Sequence, residues 1–302
     1  MRQGLHRAGK FLWEVLGNFS GDGCPRMAAA ISYYTVFAVP PLLALLTLLA
    51  SEFVRPPELQ ELLSDQIAAW VGVESATQIV GVVQEVARPE LGGPTAILGL
   101  LAVLFGATNA FVQLQNALNA AWGVAPDPER GDVRTFFVKR AVSLVMILAT
   151  GVLLVVLLGV STVLSAFHGG VRSHAPERLG RWVLTVMDAA TSLAVVTGLL
   201  AVIFRYVPDA VIRWRDALVG ALFTGVLFTG GKLIIGYYLG HNDLANVYGA
   251  AGSLAVALLW IYYTANILLL GAEFTEVWAC RHGEPVRPQR GAVNVERRIR
   301  RD

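Results

Sequence analysis

The chain has 302 residues, 55% of them hydrophobic and 15% charged, with a formal net charge of +2. Soluble domains carry roughly 25% charged residues, and here the apolar residues are gathered into runs that consume most of the length, which excludes a large soluble domain. Cys24 and Cys280 are the only cysteines, so neither a disulfide framework nor a cysteine metal motif can be built.

The first 26 residues are a basic segment with Arg2, Arg7, Lys10 and Arg26. The apolar run that follows, 27–50, is longer than the roughly 7–15 residues of a signal-peptide core and holds Pro40-Pro41. It reads as an uncleaved first span. The prolines free a carbonyl and kink the helix, either to line a cavity or simply to pack. The acidic connection 51–93 repeats apolar residues at helical spacing (Leu59, Leu62, Leu63 and Ile67, then Ile79, Val82, Val83 and Val86). This predicts short amphipathic helices at the outer interface, serving as a packed lid or as a substrate gate.

The second run, 95–122, holds Asn109, Gln113 and Asn116 on one face, and Gln115, Asn119 and Trp122 on an adjacent one. Amides at membrane depth either hydrogen-bond neighbouring helices or line a wet cavity. They neutralise no charge, so such a cavity suits a polar or amphipathic solute. Further runs lie at 141–167, 182–204, 218–239 and 247–270.

Asp188 in the fourth run and Lys232 in the fifth lie at similar depth, roughly 10 Å below the outer surface at about 1.5 Å rise per residue. They are predicted to face each other. Such a pair either fixes helix register or takes part in moving a charged substrate or proton, and snorkelling of Lys232 is the alternative. Glu273 and Glu276 fall near the inner end of the sixth run, where Arg205, Arg213 or Arg215 are their expected partners. Ala245, Gly249, Ser253 and Ala257 form a stripe of small residues, and Gly236 and Gly240 repeat the spacing in the fifth run, which predicts a tight hairpin.

These runs predict an all-α polytopic membrane bundle: a basic N-terminal segment 1–26, a six-helix domain 27–280 and a basic tail 281–302. The tail carries Pro285, Pro288 and clustered arginines, and is expected to be disordered and to lie on anionic lipid headgroups. It has no interleaved aromatics to stack bases, so membrane lipids rather than nucleic acid are the expected partners. Of the 24 Lys and Arg, 18 fall on the side of the two termini and five on the other, Lys232 being the last. An even number of spans and this bias agree in placing both termini in the cytoplasm. The preference for arginine over lysine points to a GC-rich bacterial genome.

Several stretches together resemble a known family: Ala28-Ala29-Ala30-Ile31-Ser32-Tyr33-Tyr34 with Pro40-Pro41, Gln113-Leu114-Gln115-Asn116-Ala117-Leu118-Asn119 with Trp122, Arg205-Tyr206-Val207-Pro208, Tyr248-Gly249-Ala250-Ala251-Gly252-Ser253, and Gly271-Ala272-Glu273-Phe274. Their order and placement resemble the YihY/virulence factor BrkB family of bacterial inner-membrane proteins, over about residues 10–280, with the tail beyond Cys280 outside the pattern. The resemblance implies six membrane helices with cytoplasmic termini, and a suggested role in lipid transport. Members formerly carried a ribonuclease BN label. The histidines His6, His168, His174, His241 and His282 lack metal-ligand spacing, and no nucleophile elbow or phosphate-cradling loop is present. The expectation is therefore a transporter or flippase-like protein for a lipid or amphipathic solute, with a non-transporting envelope scaffold as the alternative. Neither enzymatic activity nor a cofactor or metal is expected.

Overall fold

A computed structural model of the protein describes residues 2–50, 64, 94–127, 177–241, 250–282, 286–289 and 291–295. Among these are six helices: α1 (Arg2–Gly21), α2 (Cys24–Ala50), α3 (Pro94–Ala121), α4 (Glu177–Tyr206), α5 (Trp214–His241) and α6 (Ala250–His282). Four short strands accompany them: β1 (Val124–Pro126), β2 (Ala210–Val211), β3 (Arg287–Pro288) and β4 (Ala292–Asn294). The chain is thus mostly helical, and α2 to α6 coincide with five of the apolar runs. The run 141–167 lies outside the described residues, as does the connection 51–93 apart from Ser64.

The windows Ala189–Tyr206 in α4 and Leu254–His282 in α6 are long and apolar enough to cross a membrane, yet only 11% and 28% of them is buried. A core helix of a soluble protein is covered by its neighbours, and these two are not. Helix ends follow local chemistry. The Arg213 carbonyl accepts the first α5 bond from the Ala217 N–H at 3.0 Å, and buried Asp216 complements the positive end of that helix. After α3, Gly123 takes a φ of 61°, a left-handed stop that costs glycine little. Gly23, with a φ of 70°, turns the chain from α1 into α2.

Two units divide the chain. The first comprises Met1–Cys24, Gln115–Thr229 and Ile267–Asp302, and the second Pro25–Leu114 and Gly230–Asn266. In the first unit α5 and α6 approach through a reciprocal pair of contacts. A Cβ at Gly220 would fall on the Thr275 hydroxyl, and one at Gly271 on the Thr224 hydroxyl. Each threonine hydroxyl donates to the glycine carbonyl one turn back on its own helix, Thr224 to Gly220 and Thr275 to Gly271, both at 2.7 Å. Both polar groups are therefore satisfied inside a backbone-close contact. Phe223 stacks on Phe274 at 4.0 Å, and Phe11 of α1 meets Phe274 edge-on at 5.1 Å. In the second unit α2 and α3 approach where Gly106 faces Ala38, and Tyr263 of α6 occupies the space beside Gly231 of α5.

α1 lies within the basic N-terminal segment, with Val15 only 1% exposed, and α6 runs on to His282. One expectation is corrected. The tail, expected to be disordered, pairs antiparallel with two loops, β4 with β1 in the register Val124↔Asn294, Ala125↔Val293 and Pro126↔Ala292, and β3 with β2. The physical reason is backbone satisfaction. The loops leaving α3 and α4 present unpaired peptide groups, and the tail supplies partners through Val295 N–H to the Gly123 carbonyl at 2.8 Å and Gln289 N–H to the Asp209 carbonyl at 2.9 Å. Pro288 is tolerated because a two-residue edge strand has a side that needs no donor.

Two measurements check this account. Gly220→Ala and Gly271→Ala each lower stability by about 1–3 kcal/mol through overpacking, whereas Gly17→Ala, whose methyl meets open space, does not; unfolding of the detergent-solubilised variants reads the difference. Hydrogen exchange will find the amides of Gln289 and Val295 slowed by about tenfold or more relative to an unstructured chain; free exchange at both would restore the disordered tail.

Candidate functional site

The first polar constellation lies in the first unit, where α3 ends. Gln115 and Asn119 are four residues apart and share a helix face. Both donate to one carboxylate, Gln115 Nε2 to Asp209 Oδ1 at 3.2 Å and Asn119 Nδ2 to Asp209 Oδ2 at 2.9 Å. The Asp209 N–H donates in return to Asn119 Oδ1 at 2.8 Å. Asn119 is buried, and this two-point exchange satisfies both ends of its amide. Of the two readings of that amide face, hydrogen bonding to a neighbouring segment describes Gln115 and Asn119. Trp122, on the same face, packs edge-on against Phe204 at 5.7 Å.

The other predicted amides are placed differently. Asn109 and Gln113 are half-buried on α3 in the second unit, with buried Thr108 before Asn109 and buried Phe111 between the two. Asn116 is exposed and belongs to the first unit. Asp188 lies in α4 and Lys232 in α5. Their side chains are outside the described ones, so their predicted pairing is too. Gly249 is likewise outside, as is the side chain of Ser253, while Ala257 is buried.

Glu273 and Glu276 lie towards the C-terminal end of α6. Glu273 is fully buried, with the Cys24 thiol donating to its Oε1 at 3.5 Å. Glu276 accepts from Asn18 Nδ2 at 3.5 Å. Of the arginines expected near them, Arg205 has its guanidinium 5.3 Å from the Trp214 ring centre and 5.8 Å from that of Tyr206, a cation over aromatic faces, and Arg213 and Arg215 are exposed. Arg281 meets the carboxylate of Glu14 of α1.

Asp209 and Cys24 were not singled out from sequence. The signal for Asp209 was its place directly after the Arg205-Tyr206-Val207-Pro208 stretch together with two amides at four-residue spacing. Nothing in the sequence pairs Cys24 with a glutamate 249 positions away. Among the described residues no group of three or more His, Cys, Asp or Glu side chains is placed to hold a metal ion.

The Asp209 constellation is testable as a clamp. Asp209→Ala removes two hydrogen bonds to a charged acceptor and strands the buried Asn119 amide, which costs about 2–4 kcal/mol. Gln115→Ala, at a half-buried position, costs less. Thermal unfolding in detergent gives that order, and an Asp209→Ala protein as stable as wild type contradicts it.

The comparisons with known proteins come to the same class. The chain is 26% identical to a UPF0761 membrane protein of Saccharophagus degradans over 276 residues, 90% of this chain and 60% of that one. It is 27% identical to one from Xanthomonas axonopodis over 278 residues, 92% and 62% of the two chains. A third, from Pseudomonas aeruginosa, is 28% identical over 281 residues, 90% and 63%. The chain therefore spans somewhat over half the length of these curated relatives. No solved structure matches it. The Virulence factor BrkB family model matches residues 15–295, so the family pattern reaches β4 rather than stopping at Cys280. On this match, the chain belongs to the Virulence factor BrkB family of membrane proteins.

Proposed function

We propose that the protein is a six-span inner-membrane transporter or flippase-like protein for a lipid or amphipathic solute, with both termini in the cytoplasm and no enzymatic activity. Helix length supports the span count. α2 to α6 have 27, 28, 30, 28 and 33 residues, each longer than the roughly 20 needed to cross the hydrocarbon core. The apolar run 141–167 supplies the sixth span, and the arginine bias supplies the orientation.

The observation that carries the solute reading is the half-burial of Asn109 and Gln113, four residues apart on α3. Amides are disfavoured against lipid tails and gain from a polar or water-lined surface. They offer donors and acceptors without a fixed charge, which fits an amphipathic head rather than a bare ion. Asp188 and Lys232 add opposite charges at one depth, the pairing expected of intramembrane ionisable groups.

Purified protein reconstituted with fluorescent phospholipid tests this reading. Wild type should make inner-leaflet probe accessible to an external reductant, and Asn109→Ala with Gln113→Ala should slow that exchange by about tenfold, the effect of about 1.4 kcal/mol of lost polar contact. Vesicles that move neither lipid nor any amphipathic probe leave the envelope scaffold as the better description.

A further inference from the structure

We propose that α1 is an interfacial helix whose Leu12, Trp13 and Leu16 dip into the lipid leaflet at which α6 ends. The helix has three distinct sectors. At about 100° per residue, Phe11, Val15 and Asn18 share an arc of about 60°, and this arc is the one that packs. Phe11 meets the rings of Phe274 and Trp278 edge-on at 5.1 and 6.4 Å, and Asn18 donates to Glu276. Lys10 and Glu14 occupy a second, exposed arc, where Glu14 receives the Arg281 guanidinium. Leu12, Leu16 and Trp13 occupy the third, with 49%, 53% and 80% of their surface exposed.

A tryptophan and two leucines on one exposed arc are costly in water, and the location of α1 identifies what covers them. Only Asp22 and Gly23 separate it from α2, which carries the first apolar run. Its packed face rests on the last turns of α6, whose window Leu254–His282 is long and apolar enough to cross a membrane. Both attachments put α1 at a membrane surface. Tryptophan concentrates at that boundary because its ring is apolar and its N–H is not. Lys10, on the arc next to Trp13, carries the charge that lipid phosphates favour. Three side chains are too few for a protein partner, since a stable protein interface buries about 1,200–2,000 Å². The assignment needs the chain only to be a membrane protein, so failure of transport leaves it standing.

Spin labels decide it. Leu12→Cys, Trp13→Cys, Leu16→Cys, Lys10→Cys and Glu14→Cys are made in a Cys280→Ser background, Cys24 being fully buried. The proteins are reconstituted in vesicles of phosphatidylcholine and phosphatidylglycerol. Labels at 12, 13 and 16 should be reached by oxygen and shielded from a water-soluble nickel chelate, at about 5–10 Å below the headgroup boundary; labels at 10 and 14 should show the reverse. Nickel access at 13 and 16 equal to that at 10 and 14 overturns the proposal, as does shielding from both reagents, which marks a protein cover. A second reading uses native side chains. Brominated lipid should quench wild-type emission more than that of Trp13→Phe, and equal quenching overturns the proposal.

Discussion

Asp209 ties three separate stretches of chain through three of its own groups. Its carboxylate takes the amides of Gln115 and Asn119, its N–H gives to Asn119, and its carbonyl receives the tail at Gln289. None of these bonds is strong alone, but two of them end on a carboxylate, and hydrogen bonds to an ionised acceptor are stronger than neutral ones. Pro208, directly before Asp209, has its own φ fixed by its ring, so less freedom is lost there when the bonds form. The strand pairs nearby, two and three residues long, are below the length at which strands hold themselves together. They persist because the clamp has already fixed the loops they pair with.

Beyond the clamp, α5 and α6 meet in the first unit by close approach. Leucine against leucine gains little where the alternative contact is an equally apolar lipid tail. The α5–α6 contact instead uses a glycine and a threonine on each helix, exchanged across the interface. Threonine in a helix often costs stability, but here each hydroxyl bonds its own helix at 2.7 Å. The hydroxyl itself can therefore sit in the opposite glycine notch with no polar atom stranded.

The helices were legible because an apolar run of membrane length has few other solutions. The contacts between them were legible only in kind. Gln115 and Asn119 could be paired with each other from their spacing, but not with Asp209, since a loop residue has no periodicity to place it. The small-residue stripe at Gly249, Ser253 and Ala257 followed a spacing that glycine- and alanine-rich helices repeat in many places. The close contact actually described in the first unit lies at Gly220 and Gly271, and recognising it required matching each glycine to a threonine on another helix. The tail was misread because two- and three-residue strands carry no alternating signal, and because its prolines argue locally against pairing. α1 was passed over for a related reason. Its charges drew attention to orientation, while its apolar residues are divided between two faces and give no single stripe.

That division of α1 explains how the end of α6 is built. Along α6, Glu273, Phe274, Glu276, Trp278 and Arg281 meet Cys24, Phe11, Asn18, Phe11 and Glu14 respectively. Thr275 and Phe274 meet Gly220 and Phe223 of α5. The last turns of α6 are therefore gripped by α5 through shape and stacking, and by α1 and the start of α2 through mixed polar and aromatic contacts. A helix that grips with one face alone is under-covered for its apolar content. The exposed leucines and tryptophan of α1 complete its burial only if the surrounding medium is itself apolar, so the same segment that braces α6 also binds the fold to its bilayer.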